Sequence, residues 1–227
     1  FNVINSLLRN IGPTIDFQQP LLTRQGSEAE LNELVTRMKS GKVGAVLIQG
    51  VNPCYDTPLA EEFKQAIETV DMSISFAVQP DETSALTKYI CPDHHFLESW
   101  DDAEPKPGQF SLSQPVIHPI FSTRQFQESL LKWANSDTSY EDVIKNHWES
   151  EIYPGNSGFP EFHEFWLQCL QNGIFNTEQY QNKILQPEMN IGVLRTVLAS
   201  QKIDESGVFE LEFYKKTGTG NGRHGNN

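Results

Sequence analysis

The sequence is poor in cysteine, in basic residues and in long apolar runs, and each shortage argues against a class of protein. Its three cysteines, Cys54, Cys91 and Cys169, are far apart, so a zinc or iron–sulfur motif, which needs closely spaced ligands, is not expected among them. Lys and Arg number 17 against 30 Asp and Glu, and the net charge of −13 argues against a nucleic-acid surface. No run approaches the roughly 18 apolar residues that a membrane-spanning helix requires. The acidity instead favours solubility and basic protein partners.

The sequence does contain a β-loop-α-β pattern in its first half. Residues 43–48 are an uninterrupted apolar run, which is typical of a strand buried on both faces of a parallel sheet. Pro53 follows, and we expect it to forbid helix and to hold the preceding residue extended. Residues 59–70 carry apolar side chains at helical spacing, and residues 74–78 predict a second strand. The pattern therefore predicts an α/β fold with parallel strands.

Polar residues follow both predicted strands. The candidate binding residues are Gly50, Asn52 and Pro53 after the first strand, and Asp81, Glu82 and Thr83 after the second. Because parallel strands end at one edge of a sheet, where such folds bind ligands, we expect the two loops to be neighbours. Asn52 could grip a guanine or another small polar ligand, or it could only close the turn by bonding local backbone. The second loop could bond a ribose or base, or it could cap the turn that begins at Ser84.

The rest of the chain predicts further elements around this unit. Ser27 and Glu30 form a capping-box pattern for a helix that Gly41 ends. Residues 84–88 predict one helical turn before a short strand at 89–90, and residues 124–134 predict a helix. Residues 1–22 look irregular. Residues 101–119 are rich in proline, which predicts an extended connection lying over the surface or over a partner.

The character of the sequence changes near residue 135. Residues 140–149 and 161–172 predict two amphipathic helices rich in aromatic side chains, in which we expect Trp148 and Trp166 to anchor a core or an interface. Residues 189–198 and 208–214 predict strands. We therefore divide the chain into an α/β domain (1–134), an aromatic-rich helical and strand extension (135–217) and a flexible Gly-rich tail (218–227). Because the sequence begins without Met and ends in this tail, we expect it to be a piece of a longer protein.

His94, His95 and Glu98 suggest a metal cluster at first sight. Adjacent histidines on an extended segment point to opposite faces, however, so both are not expected to reach one ion, and a structural role is favoured. Ser and His occur without the G-x-S-x-G turn of a serine hydrolase. The sequence therefore predicts no catalytic residue and no metal ligand.

The order of strand, G-x-N-P, helix, strand, D-E-T and C-P-D-x-x-x-x-E resembles the molybdopterin oxidoreductase superfamily. The residues that carry the resemblance are PDHHFLESWDDAEP at 92–105, FSLSQP at 110–115 and TRQFQ at 123–127. They are most similar to one branch, the iron–sulfur large subunit of bacterial alternative complex III, which oxidises quinols. The resemblance covers most of residues 1–134 and is looser beyond residue 140.

The resemblance implies a Rossmann-like three-layer α/β domain with a mostly parallel sheet. In that superfamily the loops after the first two strands hold the guanine ends of the molybdopterin dinucleotide, whereas in this branch the domain is a scaffold without cofactor. Iron–sulfur clusters would then lie only in a part of the protein outside this sequence. The implied partners are other subunits of a membrane-bound respiratory complex, on the periplasmic side of the bacterial inner membrane.

Two sequence features agree with a domain that has no cofactor. Where cofactor-binding relatives place Gly-Thr, then Asn and Glu-Gly-Arg, this chain has DDA at 101–103 and QFS at 109–111. Acids in place of glycine and a basic residue are poor ligands for a pyrophosphate, which needs amide donors and positive charge. We therefore expect a structural and assembly domain in which residues 101–119 wrap a partner. The alternative is a functional molybdopterin-guanine-dinucleotide-binding domain of an oxidoreductase.

Overall fold

The computed structural model describes residues 2–17, 19–23, 25–177, 191–200 and 209. The protein has a mixed α/β architecture with one parallel and one antiparallel sheet. Its contacts divide the chain into a larger unit, residues 18–184, and a smaller unit formed by residues 1–17 and 185–227. In the part of the chain that the structure describes, no helix is both long enough and apolar enough to cross a membrane.

The smaller unit begins with helix α1 (Asn2–Leu7), so the prediction of an irregular segment is wrong there. A helix of six residues is too short to reveal its period in the sequence. Arg9, just beyond it, has a positive φ of 55°, which fits a chain leaving a helix. Past this helix the segment consists of turns and one isolated bridge between Ile11 and Ile15, so the irregular prediction holds there.

Helix α2 (Glu28–Lys39) opens the larger unit as predicted. The Ser27 hydroxyl accepts a hydrogen bond from the backbone N–H of Glu30 at 3.4 Å, and two glutamates occupy the first turn. Gly41 lies just past the end of the helix with a φ of 68°, which is the left-handed conformation that glycine adopts without strain. Start and end signals together fix this helix.

The parallel sheet comes directly after this helix. It consists of β1 (Ala45–Ile48), then β2 (Met72–Ser75) and β3 (Tyr89–Ile90), hydrogen-bonded in that order. Two helices connect β1 to β2, namely α3 (Pro53–Asp56) and α4 (Ala60–Ile67). Ala45 pairs with Met72 and Ile74 with Tyr89, both in parallel register. The predicted β-loop-α-β unit and its parallel strands are confirmed.

Three details of this prediction are wrong. The second strand begins at Met72, two residues earlier than expected. The first strand is not buried on both faces, because Leu47 is 43% exposed while its neighbours Val46 and Ile48 are buried. Pro53 does not forbid helix, since it is the first residue of α3, a position where its missing N–H has no helical partner to lose.

The first core of the larger unit lies between α2, α4 and one face of this sheet. Its buried members are mostly aliphatic: Val35, Met38, Val46, Ile48, Cys54, Phe63, Ala66, Ile67 and Val70. The helical members recur at spacings of three and four, as predicted for residues 59–70. This core therefore fixes β1, and the pairing of β1 with β2 then positions the loops that come after both strands.

The second sheet replaces the extended connection that was predicted for residues 101–119. Strands β4 (Asp101–Lys106) and β5 (Gln109–Ser113) form an antiparallel hairpin, and β6 (Ile174–Asn176) pairs with β5. Gly108, with a φ of 76°, makes the turn, and its N–H donates to the Glu104 carboxylate at 2.8 Å. The prediction of an extended connection is therefore wrong for residues 101–113.

The aromatic-rich helices are confirmed, with small shifts at their ends. They are α5 (Phe126–Trp133), α6 (Tyr140–His147) and α7 (Phe162–Asn172), and a short π-helix (Trp148–Ile152) continues α6. Gly173 ends α7 with a φ of 69°. In the smaller unit, α8 (Ile191–Ser200) contradicts the strand predicted at 189–198, because a short apolar run suits either element. The strand predicted at 208–214 lies outside the described residues except for Phe209.

The second core of the larger unit is built around α6, α7 and β5. Its buried members are Leu112, Ile144, Trp148, Ile152, Phe165, Trp166 and Cys169. The ring of Trp148 lies 5.9 Å from that of Trp166 and 6.3 Å from that of Phe165. Leu112 comes from the predicted α/β domain (1–134), whereas the other buried members come from the predicted extension (135–217). The tail predicted at 218–227 lies outside the described residues.

Candidate functional site

The two loops predicted to be neighbours meet at the C-terminal edge of the parallel sheet. Asn52, after β1, donates from Nδ2 to Glu82 Oε2 at 2.7 Å and accepts at Oδ1 from Thr83 Oγ1 at 2.6 Å. Thr83 Oγ1 also accepts from the backbone N–H of Cys54 at 3.0 Å. We call these four residues the rim network. It joins the loop after β1 to the loop after β2.

Most of the rim network is buried. Thr83 is fully buried, Asn52 is 8% exposed and Cys54 is 4% exposed, whereas Glu82 remains exposed. Across the described part of the chain, no buried side-chain nitrogen or oxygen lacks a hydrogen-bond partner. The buried side-chain polar atoms of the two loops therefore already have hydrogen-bond partners.

The other predicted residues shape the two loops. Gly50 adopts a positive φ of 66°, which lets the chain turn sharply after β1. Pro53 is buried at the start of α3. Asp81 accepts from the backbone N–H of Ser84 at 2.6 Å, and its own N–H donates to Ser84 Oγ at 2.8 Å. Asp81 therefore caps the turn that begins at Ser84, which is one of the two roles that the sequence left open for this loop.

The electrostatics of the rim suit a neutral or cationic neighbour. The pKa of Glu82 is lowered, first by the hydrogen bond from Asn52, then by its own backbone N–H, and also by the charge of Lys64. Lys64 itself is paired with Glu61 at 2.6 Å. Burial raises the pKa of the Cys54 thiol, which favours its protonated form.

Two features of the rim are unfavourable for a bound dinucleotide diphosphate, which needs amide donors and positive charge. The side-chain amide of Asn52 is already bonded to Glu82 and Thr83, and two carboxylates, Asp81 and Glu82, border it. The segments 101–103 and 109–111 both lie in the β4–β5 hairpin, in which residues 101–103 pair with residues 111–113. There Asp102 Oδ2 accepts from the indole N–H of Trp148 at 2.9 Å, which is a bond that ties the hairpin to the second core.

His95 and Glu98 have a structural role, as predicted. They cap a single 3-10 turn, Phe96–Glu98: His95 Nδ1 accepts from the N–H of Leu97, and Glu98 Oε2 accepts from the N–H of His95. The backbone N–H groups of Ile120 and His95 lower the pKa of Glu98. Among the residues that the structure describes, no group of three or more His, Cys, Asp or Glu is placed to hold a metal ion.

Sequence reasoning missed one residue that organises the edge of the sheet. Asp93 Oδ1 accepts from the N–H of Phe126 at 2.9 Å and of His94 at 2.8 Å, and Oδ2 accepts from Gln49 Nε2 at 3.3 Å. It therefore ties the start of α5 to the end of β1. The only signal in the sequence is its place in C-P-D after a strand, which does not reveal a partner 33 positions away.

A cavity of about 400 Å³ lies between the start of α2 and the segment that joins α3 to α4. Its lining is formed by Glu28, Ala29, Leu31, Asn32, Asp56, Thr57, Pro58 and Leu59. Two carboxylates and no basic side chain line it, so it does not suit a phosphate group.

Comparison with models of known protein families gives no match for this chain, and no curated protein matches it at a significant level. The resemblance to molybdopterin oxidoreductases thus rests on the motifs in the sequence alone.

Proposed function

We propose that this chain is part of a molybdopterin-oxidoreductase-like subunit of a quinol-oxidising respiratory complex, in which it is a cofactor-free structural and assembly domain. The motif order of residues 43–127 supports the family, and the parallel strands with their two joined loops are compatible with it. The observation that carries the cofactor-free role is the rim network.

The rim network supports this role because of what its groups already bind. In a dinucleotide site, the amide after the first strand and the hydroxyl after the second would face the ligand. Here Asn52 and Thr83 bind each other while buried, and the Asn52 amide also donates to Glu82. A ligand would have to break bonds within a buried network, which costs about 1–3 kcal/mol for each polar group left unpaired.

A Rossmann-like sheet is part of the proposal. Val46 and Ile48 face α2 and α4, whereas Ile74 lies on the opposite face because side chains alternate along a strand. Phe76, next on that face, meets Phe126 of α5 with ring centroids 4.7 Å apart. A contact of α5 with the residue that follows β2, on the face opposite α2 and α4, supports a three-layer arrangement of the kind this fold class has.

Elemental analysis of the full-length protein tests the cofactor-free role. We expect neither molybdenum nor tungsten in protein purified from its native membrane, and no pterin fluorescence after oxidative extraction. Stoichiometric metal together with extractable pterin would instead establish the dinucleotide-binding alternative. A related enzyme that is known to contain the cofactor, purified in parallel, controls for loss during preparation.

Calorimetric titration with GDP tests the rim directly. We expect no saturable heat from the wild-type chain, and none from Glu82→Gln, which keeps the size of the side chain and removes its charge. A saturable signal in the wild type that Glu82→Gln weakens would contradict the proposal, because it would show the rim in contact with guanine.

Assembly and location are tested with a tagged full-length subunit in bacterial membranes. We expect it to migrate with quinol-oxidising activity on native gels and to be digested by protease added to spheroplasts. Migration as a lone chain, or protection from the protease, would contradict the proposed place. Deleting residues 101–119 is not a useful test, because the deletion removes β4 and β5 and with them part of the second core.

A further inference from the structure

A histidine side chain caps the short 3-10 turn Phe96–Glu98, and this cap depends on the charge of the ring. The N–H of Leu97 donates to Nδ1 of His95 at 3.3 Å. Because a backbone N–H can only donate, the ring nitrogen that accepts from it carries no proton. The bond therefore requires neutral His95 with its proton on Nε2, since both nitrogens of a charged histidine are donors.

The capped residue also holds a second segment of the chain, residues 116–121. The carbonyl of Leu97 accepts from the N–H of Val116 at 2.9 Å and from the N–H of Ile117 at 3.2 Å. Both of these side chains are exposed, so their burial contributes little to fixing the segment. The position of residues 116–121 therefore depends on how firmly the turn around Leu97 is held.

Glu98 adds a charged contact between the turn and this segment. Its Oε1 accepts from the N–H of Ile120 at 3.0 Å, and its Oε2 accepts from the N–H of His95 at 3.0 Å. The bond from Ile120 and then the bond from His95 lower the pKa of Glu98 from its ordinary value of 4.5. Glu98 is therefore ionised throughout the range of roughly pH 5–8 in which a histidine changes its charge.

Four other titratable side chains lie on the two segments around His95. They are Asp93, His94 and Glu98 on its own segment, and His118 on the second segment. Asp93 is already bonded, since its Oδ1 accepts from the N–H of His94 at 2.8 Å. His95 is exposed, so protons reach its ring from solvent, and the ionised carboxylate of Glu98 attracts the charged ring. Protonation thus exchanges the bond to Leu97 for an attraction to Glu98.

We propose that His95 is a pH-sensitive cap, whose protonation opens the turn Phe96–Glu98 and releases residues 116–121. In the neutral form, Nδ1 accepts from the N–H of Leu97. In the charged form, Nδ1 carries a proton and two donors face each other, so the bond is lost and the turn loses its cap. The inference goes beyond the proposed function and does not depend on it.

NMR spectroscopy of the isotope-labelled 227-residue chain tests the proposal. At about pH 8, two-bond ¹H–¹⁵N spectra of the His95 ring should show the tautomer that has its proton on Nε2. Acidification to about pH 5 should shift the backbone amide signals of Leu97, Val116 and Ile117 with one midpoint, which is that of the His95 ring in the same titration. The hydrogen-exchange protection of the Leu97 amide, corrected for the intrinsic effect of pH, should fall about fivefold.

Three variants separate the cap from other effects of pH. His95→Asn places an oxygen that does not titrate where Nδ1 lies, and asparagine is a preferred cap, so this variant should keep the turn closed across the titration. His95→Ala has no acceptor and should show the low protection of Leu97 already at neutral pH. His94→Asn is the matched control at the neighbouring histidine and should retain the transition of the wild type.

Several results would overturn the proposal. They are a neutral His95 ring with its proton on Nδ1, a Leu97 amide signal that does not follow the titration of this ring, and an equal transition in His95→Asn. Loss of the transition in His94→Asn would assign it to the wrong histidine, and opening only below pH 4.5 would assign it to Glu98. Circular dichroism melts check that each variant is folded. None of these results changes the metal analysis that tests the proposed function.

Discussion

The two cores of the larger unit are made of different side chains and reach over different lengths of chain. The first core takes its buried members from residues 35–70 and is mainly aliphatic. The second takes them from residues 112–169 and is centred on Trp148, Phe165 and Trp166. Local periodicity is therefore enough to build the first core, whereas the second depends on contacts between distant segments.

The two cores also differ in the polar group that each one holds. The first is bordered by the rim network, whose buried members are the neutral side chains Asn52 and Thr83 together with Cys54. The second contains the indole N–H of Trp148, which requires an acceptor, and Asp102 supplies a carboxylate. Aromatic packing with Trp thus brings a polar requirement that aliphatic packing does not have.

Truncating Trp148 should produce the largest loss of stability. Trp148→Ala removes a fully buried indole and its ring contacts, and we expect it to cost about 3–5 kcal/mol of unfolding free energy. Ile67→Val in the first core should cost only about 0.5–1.5 kcal/mol. Urea denaturation measures both. A smaller loss for Trp148→Ala than for Ile67→Val would remove the distinction between the two cores.

Thr83→Val should have the next largest effect. The substitution keeps the shape of the side chain but leaves Asn52 Oδ1 and the N–H of Cys54 without this buried partner, which costs about 1–3 kcal/mol. Thr83→Ser retains the hydroxyl and serves as the control. Equal unfolding free energies for the two variants would show that the rim network does not stabilise the first core.

The helix caps should give smaller losses that differ between the regions. Ser139 accepts from the N–H of Asp142 at 3.1 Å at the start of α6, whereas the equivalent bond of Ser27 at α2 is longer, 3.4 Å. We expect Ser139→Ala to cost about 1 kcal/mol and Ser27→Ala about 0.5 kcal/mol. Thermal melts measure the loss of stability in both variants. A larger loss for Ser27→Ala than for Ser139→Ala would show that the length of the capping hydrogen bond does not determine how much each cap stabilises the protein.

The two regions should respond to pH in opposite directions. The pKa of Glu82 is lowered from 4.5, mainly by the hydrogen bond from Asn52. The stability that ionised Glu82 contributes to the folded state is therefore fully present above pH 4.5, and it is lost as the pH falls through the lower pKa of the folded state. The pKa of Asp101 is raised from 3.8, mainly by desolvation, so the folded state binds the proton more tightly than the unfolded state does. The stability that protonated Asp101 contributes to the folded state is therefore fully present below pH 3.8, and it is lost as the pH rises through the raised pKa of the folded state.

Substitution separates these two effects. Glu82→Gln should reduce the loss of stability on acidification, and Asp101→Asn should stabilise the protein near neutral pH but not at a pH below 3.8. Urea midpoints measured across the acid range test both. A gain from Asp101→Asn that is equal at all pH values would contradict the assignment of the effect to ionisation.

Local sequence signals account for most of the first region. Ser27 and Gly41 mark the ends of α2, and apolar spacing marks α4, because caps and periodicity act within a few residues. The meeting of Asn52 with Glu82 was predictable as well, since parallel strands end at one edge of a sheet. The individual hydrogen bonds between these groups were not predictable, because the distances between the groups depend on tertiary packing.

The hairpin is not evident from the sequence, because its prolines are typical of an extended connection. Pro105 lies in β4, which is an edge strand of its sheet, where the missing N–H of proline breaks no ladder hydrogen bond. The register also shifts between Ala103 and Lys106, next to this proline. The partner that completes the sheet, β6, is distant in the sequence, so no local pattern indicates it.

The pairing of Gln109 with Asn176 has a consequence for how the chain is made on the ribosome. The members of the first core are all synthesised by Val70, so this core can close while most of the chain has yet to be translated. Until residue 176 emerges, β5 lacks its partner β6 and the second core is incomplete, so apolar surfaces of this core stay uncovered during that interval. We therefore expect nascent chains that are arrested between these points to be the species that chaperones bind.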